Sequence, residues 1–214
     1  MLKVAVLISG RGSNLQSLIA ACATPGFPAQ IVCVIANKAD AKGLEHAKAA
    51  RIPALVIAHK DYAGRQAFEE ALDTVLEAHK VQLVCLAGFM RLLTPWFTER
   101  WRDRLVNIHP SLLPAFPGLH THEKAIEYGA RLAGCTVHFV RAEMDHGPII
   151  VQAAVPVYAN DDAEILAARV LEAEHKIYPA ALRMIADNRV NVFEEKVFIA
   201  DAEASGDALY NPRP

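Results

Sequence analysis

Between residues 4 and 87, short continuous apolar runs alternate with amphipathic segments, and this alternation constrains the fold more than any other feature of the chain. The runs are residues 4–8, 31–36, 54–58 and 83–87. The intervening stretches, 14–22, 41–50 and 65–79, carry helical spacing; in the last, Phe68, Leu72, Val75 and Leu76 fall on one helix face. A strand that is apolar on both faces must be covered on both. Continuous runs separated by helices therefore predict an α/β fold: a Rossmann-like, mostly parallel sheet with helices on both faces. Sheets of this kind bind ligands beyond the carboxyl ends of their strands, which is where chemistry is to be sought.

The second half changes character. Residues 104–108 are strand-like and stop at Pro110, and a Pro- and Gly-rich loop follows over 111–121. Strand-like segments at 135–140 and 149–157 flank a turn at 145–148. Asp161 and Asp162 open a long helix to about residue 187, with Pro179 as a point where it can kink. Segments near 190–193 and 197–199 suit a hairpin. No repeat or linker divides the chain, so the expected organisation is one domain over 1–200 and a polar tail over 201–214.

Composition narrows the function. Apolar residues make up 53% of the chain, enough for a sizeable core, and the net charge of −2 comes from 22 basic and 24 acidic residues without blocks of like sign. That is not the footprint of a nucleic-acid binder. No apolar run approaches the roughly 18 residues of a membrane span, and the first run is too short for a secretory leader and meets a Gly-rich turn at once. Cys22, Cys33, Cys85 and Cys135 form no Cys-x-x-Cys pair. Buried reduced thiols and a cytoplasmic location are expected.

Three motifs carry the chemistry. Ser9-Gly10-Arg11-Gly12-Ser13-Asn14-Leu15 lies between the first strand and the first helix. Glycines there allow a sharp turn and close approach, and the free N–H groups of a helix start favour an anion. Leu15 stands where a dinucleotide fingerprint needs its third glycine, so a single phosphate is preferred; an ordinary strand-to-helix turn would look the same. Next, Asn107 and His109 lie two apart at a strand end, on one face, with Pro110 behind them. An amide donor and an imidazole at that edge suit stabilisation of an oxyanion and movement of a proton, although a core Asn and His satisfying local backbone groups would share the spacing. Finally, Asp145 in Met144-Asp145-His146-Gly147-Pro148 could orient and charge His109 if the fold joins them, or serve only the turn. His120 and His122 flank Thr121 without further ligands at metal spacing, so no metal is expected.

Together these segments resemble the phosphoribosylglycinamide (glycinamide ribonucleotide) formyltransferase family. The glycine loop, Ala87-Gly88-Phe89-Met90-Arg91, Leu105-Val106-Asn107-Ile108-His109-Pro110-Ser111-Leu112-Leu113-Pro114, Pro117-Gly118-Leu119-His120-Thr121-His122, Asp145-x-Gly147-Pro148 and Glu174-His175-x-Ile177-Tyr178-Pro179 follow its order over roughly residues 3–195. The resemblance implies transfer of the formyl group of 10-formyltetrahydrofolate to the amine of glycinamide ribonucleotide, in purine synthesis, without a metal. It implies that Gly12, Ser13 and Asn14 hold the substrate phosphate and that Glu174 contacts its ribose or glycinamide portion. Arg65, Met90, Arg91, Leu92 and Leu93 would meet the folate, with Asn107 and a loop of Arg141, Ala142, Glu143, Met144 and Asp145. Asn107, His109 and Asp145 would be catalytic.

Small-molecule substrates, neither nucleic acid nor membrane, and a monomer or homodimer are the expected partners and state. Arg11 and His146 are mild departures from the pattern. Formyltetrahydrofolate deformylases share the Asn-x-His and Asp motifs but usually carry a preceding regulatory domain, and methionyl-tRNA formyltransferases a following RNA-binding one. A first strand at residue 3, a phosphate loop and an acidic balance disfavour both.

Overall fold

The computed structural model describes residues 1–203, 206 and 209–212. The rest of the expected tail, residues 204, 205, 207, 208, 213 and 214, lies outside the described residues. A seven-stranded sheet in the order β3-β2-β1-β4-β5-β6-β7 forms the centre. Its strands are β1 Leu2–Ile8, β2 Ala29–Ala36, β3 Ala54–Val56, β4 Leu83–Leu86, β5 Leu105–His109, β6 Leu132–Phe139 and β7 Ile149–Pro156. The pairings from β3 through β5 are parallel, while β6 and β7 are antiparallel. The mostly parallel α/β sheet read from the sequence is what forms.

The strand pleat explains why both faces are covered. Val4, Val6 and Ile8 of β1 pack with Leu15 and Leu18 of α1 (Ser13–Cys22), Leu44 of α2 (Gly43–Ala49) and Tyr178 and Leu182 of α6 (Ala163–Ala186). Ala5 and Leu7, pointing the other way, pack with Phe68, Leu72 and Leu76 of α3 (Arg65–Ala78) and Phe97 of α4 (Pro95–Arg100). A smaller cluster joins Ala125 of α5 (Thr121–Glu127) to Cys135, Val155, Leu166 and Val170. Cys33, Cys85 and Cys135 are buried and Cys22 half-buried, all as free thiols.

Two short helices go beyond the sequence reading. Helix α4 starts where the Thr94 side chain accepts from Phe97 N and Pro95 occupies the first turn. Helix α5 follows His120, whose backbone is left-handed (φ 60°). The long helix starts where Asp162 accepts from Ile165 N at 2.8 Å, and it runs through Pro179. The adjacent Tyr178 hydroxyl donates to Leu86 O at 2.9 Å, fixing this point of α6 to the sheet. A separate hairpin, β8 (Val190–Phe193) with β9 (Lys196–Ile199), packs Val190, Val192, Val197 and Ile199 against the main core. In the tail, the Asn211 amide donates to Arg131 O and Val157 O at 2.5 and 3.0 Å.

Strand order reverses between β1 and β4, the topological position where a ligand crevice opens. Ser9 ties the strand ends together there. Its hydroxyl donates to Asn37 Oδ1 at 2.7 Å and accepts from Met90 N at 2.8 Å.

Candidate active site

A cavity of about 690 Å³ opens over the carboxyl ends of β4 and β5. Its walls come from four places: the segment 88–93 after β4, the strand end 107–110, the loop 118–123, and the segment 140–145 between β6 and β7, with Asn14 and Glu174 at one end. Volumes of this size suit small-molecule ligands.

The catalytic candidates converge. Asn107 and His109 point from one face of β5, as their spacing requires. His109 Nδ1 lies 3.3 Å from Asp145 Oδ1, and both side chains are largely shielded from solvent. His109 Nε2 faces Phe116 O at 3.1 Å. Both ring nitrogens thus meet acceptors, the arrangement that suits an imidazolium beside a carboxylate. The second oxygen of Asp145 accepts from Gly118 N at 2.6 Å. Asp145 adopts a left-handed backbone (φ 53°), which Asp tolerates better than most residues.

Opposite Asn107 in the antiparallel register stands His138. Its Nδ1 lies 2.9 Å from Phe139 O, so Nδ1 carries the proton and Nε2 is left to accept from Asn107 Nδ2 at 3.4 Å. Burial pushes the His138 pKa down, with the Phe139 carbonyl opposing in part. A neutral imidazole thereby sets which way the Asn107 amide faces. This partnership depends on a register across 31 residues, which no local motif shows.

At the other end, Asn14 Nδ2 donates to Glu174 Oε2 at 2.7 Å, while Asn14 Oδ1 is buried without a partner among the described residues. Burial raises the pKa of Glu174, against the bond from Asn14. Gly12 is left-handed (φ 78°), and a Cβ there would sit 2.6 Å from Gly43 Cα, so glycine is required. Ser13 does not line the main cavity. It faces an adjoining hollow of about 330 Å³ rimmed by Arg11, Lys42 and His46.

Met90, Arg91, Leu92 and Leu93 line the cavity, as do Arg141, Ala142, Glu143, Met144 and Asp145. Arg65 does not; it opens α3 and is exposed. Large apolar side chains around the opening, Met90 at 66%, Leu92 at 53% and Met144 at 53% exposure, form a surface suited to a flat ring system. Buried Glu69 holds the base of the 88–93 segment by accepting from Thr94 N at 2.8 Å and from the Thr94 hydroxyl. The half-buried His122 has an Nε2 without a partner among the described residues, and its pKa is lowered by burial. His120 pairs with Glu123 at 3.3 Å.

With this geometry in view, the family is decided by one match. The profile of the formyl transferase family covers residues 2–182. The chain belongs to the formyl transferase family. Among relatives, the chain is 44% identical over 199 residues to the phosphoribosylglycinamide formyltransferase of Haemophilus influenzae, covering 93% of this chain and 94% of that one. It is 52% identical over 192 residues to the trifunctional purine biosynthetic protein adenosine-3 of Gallus gallus. That match covers 90% of this chain and 19% of the relative, so the chain spans about a fifth of the trifunctional protein's length. The solved structure of glycinamide ribonucleotide transformylase 1 from Symbiobacterium toebii superposes with a TM-score of 0.92 at 48% identity, covering 94% of this chain and 95% of that one. No helix among the described residues is long and apolar enough to cross a membrane.

Proposed function

We propose that the chain transfers the formyl group of 10-formyltetrahydrofolate to the terminal amine of 5'-phosphoribosylglycinamide, as a cytoplasmic enzyme of purine synthesis, with residues 1–200 as its one domain. The observation that carries this reading is the placement of Asn107, His109 and Asp145 in one cavity wall, with apolar side chains at the opening and Asn14 and Glu174 at the other end. Formyltransferases acting on that ribonucleotide are among the chain's relatives over nearly their whole length.

The ribonucleotide phosphate would sit at the start of α1, on Gly12, Ser13 and Asn14. The unpaired N–H groups of a helix start attract an anion, and Arg11 and Lys42 beside Ser13 add positive charge. Glu174, anchored by Asn14, would accept from the ribose or glycinamide portion. The folate would lie against Met90, Leu92, Leu93 and Met144, with its formyl carbon near Asn107 and His109. Arg91 and the 141–145 segment would flank it, and Arg65 would meet its outer end.

The amine attacks the formyl carbon and the carbonyl electrons move to oxygen. The Asn107 amide, aimed by His138, donates to that oxyanion, and the positive charge of His109 stabilises it. Asp145 holds the imidazole in place and offsets the charge it carries when protonated. Loss of the amine proton and delivery of a proton to the departing folate nitrogen let the carbon–nitrogen bond break and restore the carbonyl. The chemistry calls for preorganised donors and a proton carrier, both of which this set supplies.

His109→Ala and Asp145→Ala should each lower kcat by about 10²–10³ while substrate binding persists. Steady-state kinetics on variants with unchanged circular dichroism check this. Near-normal turnover in both would contradict the mechanism.

A further inference from the structure

The tip of the β8–β9 hairpin is built from the wrong residues for its shape. Glu194 and Glu195 form the two-residue connection, and both are left-handed, with φ of 47° and 57°. A two-residue hairpin turn with positive φ at both positions favours Asn and Gly. Glutamate at both is a local cost without a local return, and such sites point to a constraint elsewhere.

The constraint is visible in what Glu195 touches. Its Oε2 accepts from Arg141 Nε at 2.6 Å, and Oε1 receives Arg141 Nη2 at 3.4 Å, a two-pronged contact. Oε1 also pairs with Arg102. Arg141 Nη2 reaches Asp103 Oδ1 at 2.7 Å, and its Nη1 donates to Val140 O at 3.2 Å. The Arg141 side chain is only 11% exposed, so its charge is held against two carboxylates and not left in solvent. Bonding to Arg141 holds the Glu195 carboxyl below the usual range, and Arg102 adds to this.

Arg141 is the first residue of the segment that ends in Asp145. The other root of that segment is fixed by backbone. Phe139 N donates to Pro148 O at 2.9 Å, and a Cβ on Gly147 would lie 2.1 Å from Phe139 O. The hairpin is a firm post for the first root, because four of its apolar residues pack into the main core.

We propose that Glu195 is a positioning residue for the formyl-donor side of the cavity: through Arg141 it fixes the root of the 141–147 segment, and with it the donor-facing wall that carries Met144 and Asp145. The functional half of this inference rests on the formyl-transfer reading; the structural half does not. The Glu195 carboxylate is itself half exposed, and Asp103 stays on Arg141 when it is removed, so its pairing contributes modestly to stability and the clasp acts chiefly on position.

The decisive variant is Glu195→Gly. Glycine suits the left-handed turn, so the hairpin is kept while the carboxylate is removed. The expected result is a KM for 10-formyltetrahydrofolate raised roughly fivefold or more, the low end of coupling between linked sites, with the KM for the ribonucleotide unchanged and the unfolding midpoint unchanged or higher. Combining it with Arg141→Ala should add nothing to Arg141→Ala alone, and Glu195→Gln should recover part of the loss. Hydrogen exchange supplies an activity-independent reading: amides over 142–146 should exchange faster in Glu195→Gly, while those of β5 keep their rates. Unchanged exchange in that segment overturns the clasp. Faster exchange with an unchanged folate KM overturns its functional role. Faster exchange in a protein whose unsubstituted form transfers no formyl group upholds the clasp and overturns the formyl-transfer reading instead.

Discussion

The two ends of the cavity are built from different materials. At one end Asn14 and Glu174 are buried against each other, and behind them the glycine loop packs closely: a Cβ on Gly12 would lie 2.6 Å from Gly43 Cα, and one on Gly43 would lie 2.6 Å from Ile8 Cδ1. At the opposite end the walls are segments outside helix and strand. They carry exposed Met90, Leu92 and Met144, and their anchors are side chains such as Glu69 on Thr94 and Glu195 on Arg141. Interdigitated backbone cannot adjust in small steps, whereas a segment anchored through side chains can. The first end is suited to one small rigid group such as a phosphate, and the second to a larger, flatter ligand that must be admitted. Asn107, His109 and Asp145 sit where the two meet, with two of the three on a sheet strand.

The contrast can be broken at its rigid end first. Gly12→Val places a branched side chain at φ 78° and 2.6 Å from Gly43 Cα. It should cost about 1–3 kcal/mol of stability, read by denaturant unfolding. It should also raise the KM for the ribonucleotide by at least roughly tenfold, as helix-start N–H groups move. The KM for formyl-folate should hardly move; equal losses for both substrates would show that the ends are not independent.

Glu174→Gln sharpens the same end through pH. Burial holds the folded-state pKa of Glu174 above its ordinary value. A raised acid binds more protons in the folded protein, so its stabilising contribution is complete below about pH 4.3, the unfolded value, and is lost as pH rises through the folded pKa. Removing the ionisable group should flatten that decline, leaving Glu174→Gln at least as stable as the parent at pH 7, while the ribonucleotide KM rises by roughly tenfold for a lost charged hydrogen bond. Unfolding midpoints across pH 4–8 test the first part. A parallel fall in both proteins would assign the decline to other groups.

The smallest effect belongs to the end anchored through side chains. Met144→Ala removes an exposed apolar side chain at the opening and should raise the formyl-folate KM by only about two- to threefold, with no loss of stability. A large stability loss would mean that this wall is packed as tightly as the other.

Much of this was legible beforehand, for reasons that differ by element. Continuous apolar runs and 3.6-residue patterns mark β1, β2, β4, α1 and α3 because the same residues that define the pattern are the ones buried. Asn107 and His109 could be placed together because two residues on one strand keep a fixed relation. Helix α4 was hidden by its length, although Thr94-Pro95 is a recognisable start, and α5 by the Pro- and Gly-rich loop before it. Contacts across strands or loops left no trace in the pattern: His138 on Asn107 depends on antiparallel register, Ser9 on Met90 spans 81 residues, and Glu195 on Arg141 spans 54. Arg65 shows the converse: a residue carried over by resemblance stands outside the cavity wall.

The central claim is that this site moves a formyl group between two bound molecules. Its most direct test follows the absorbance change as 10-formyltetrahydrofolate loses its formyl group, with and without 5'-phosphoribosylglycinamide. The account predicts release of tetrahydrofolate that depends on the ribonucleotide and matches formylated product one for one. Release at the same rate without the ribonucleotide would make water the acceptor and contradict it.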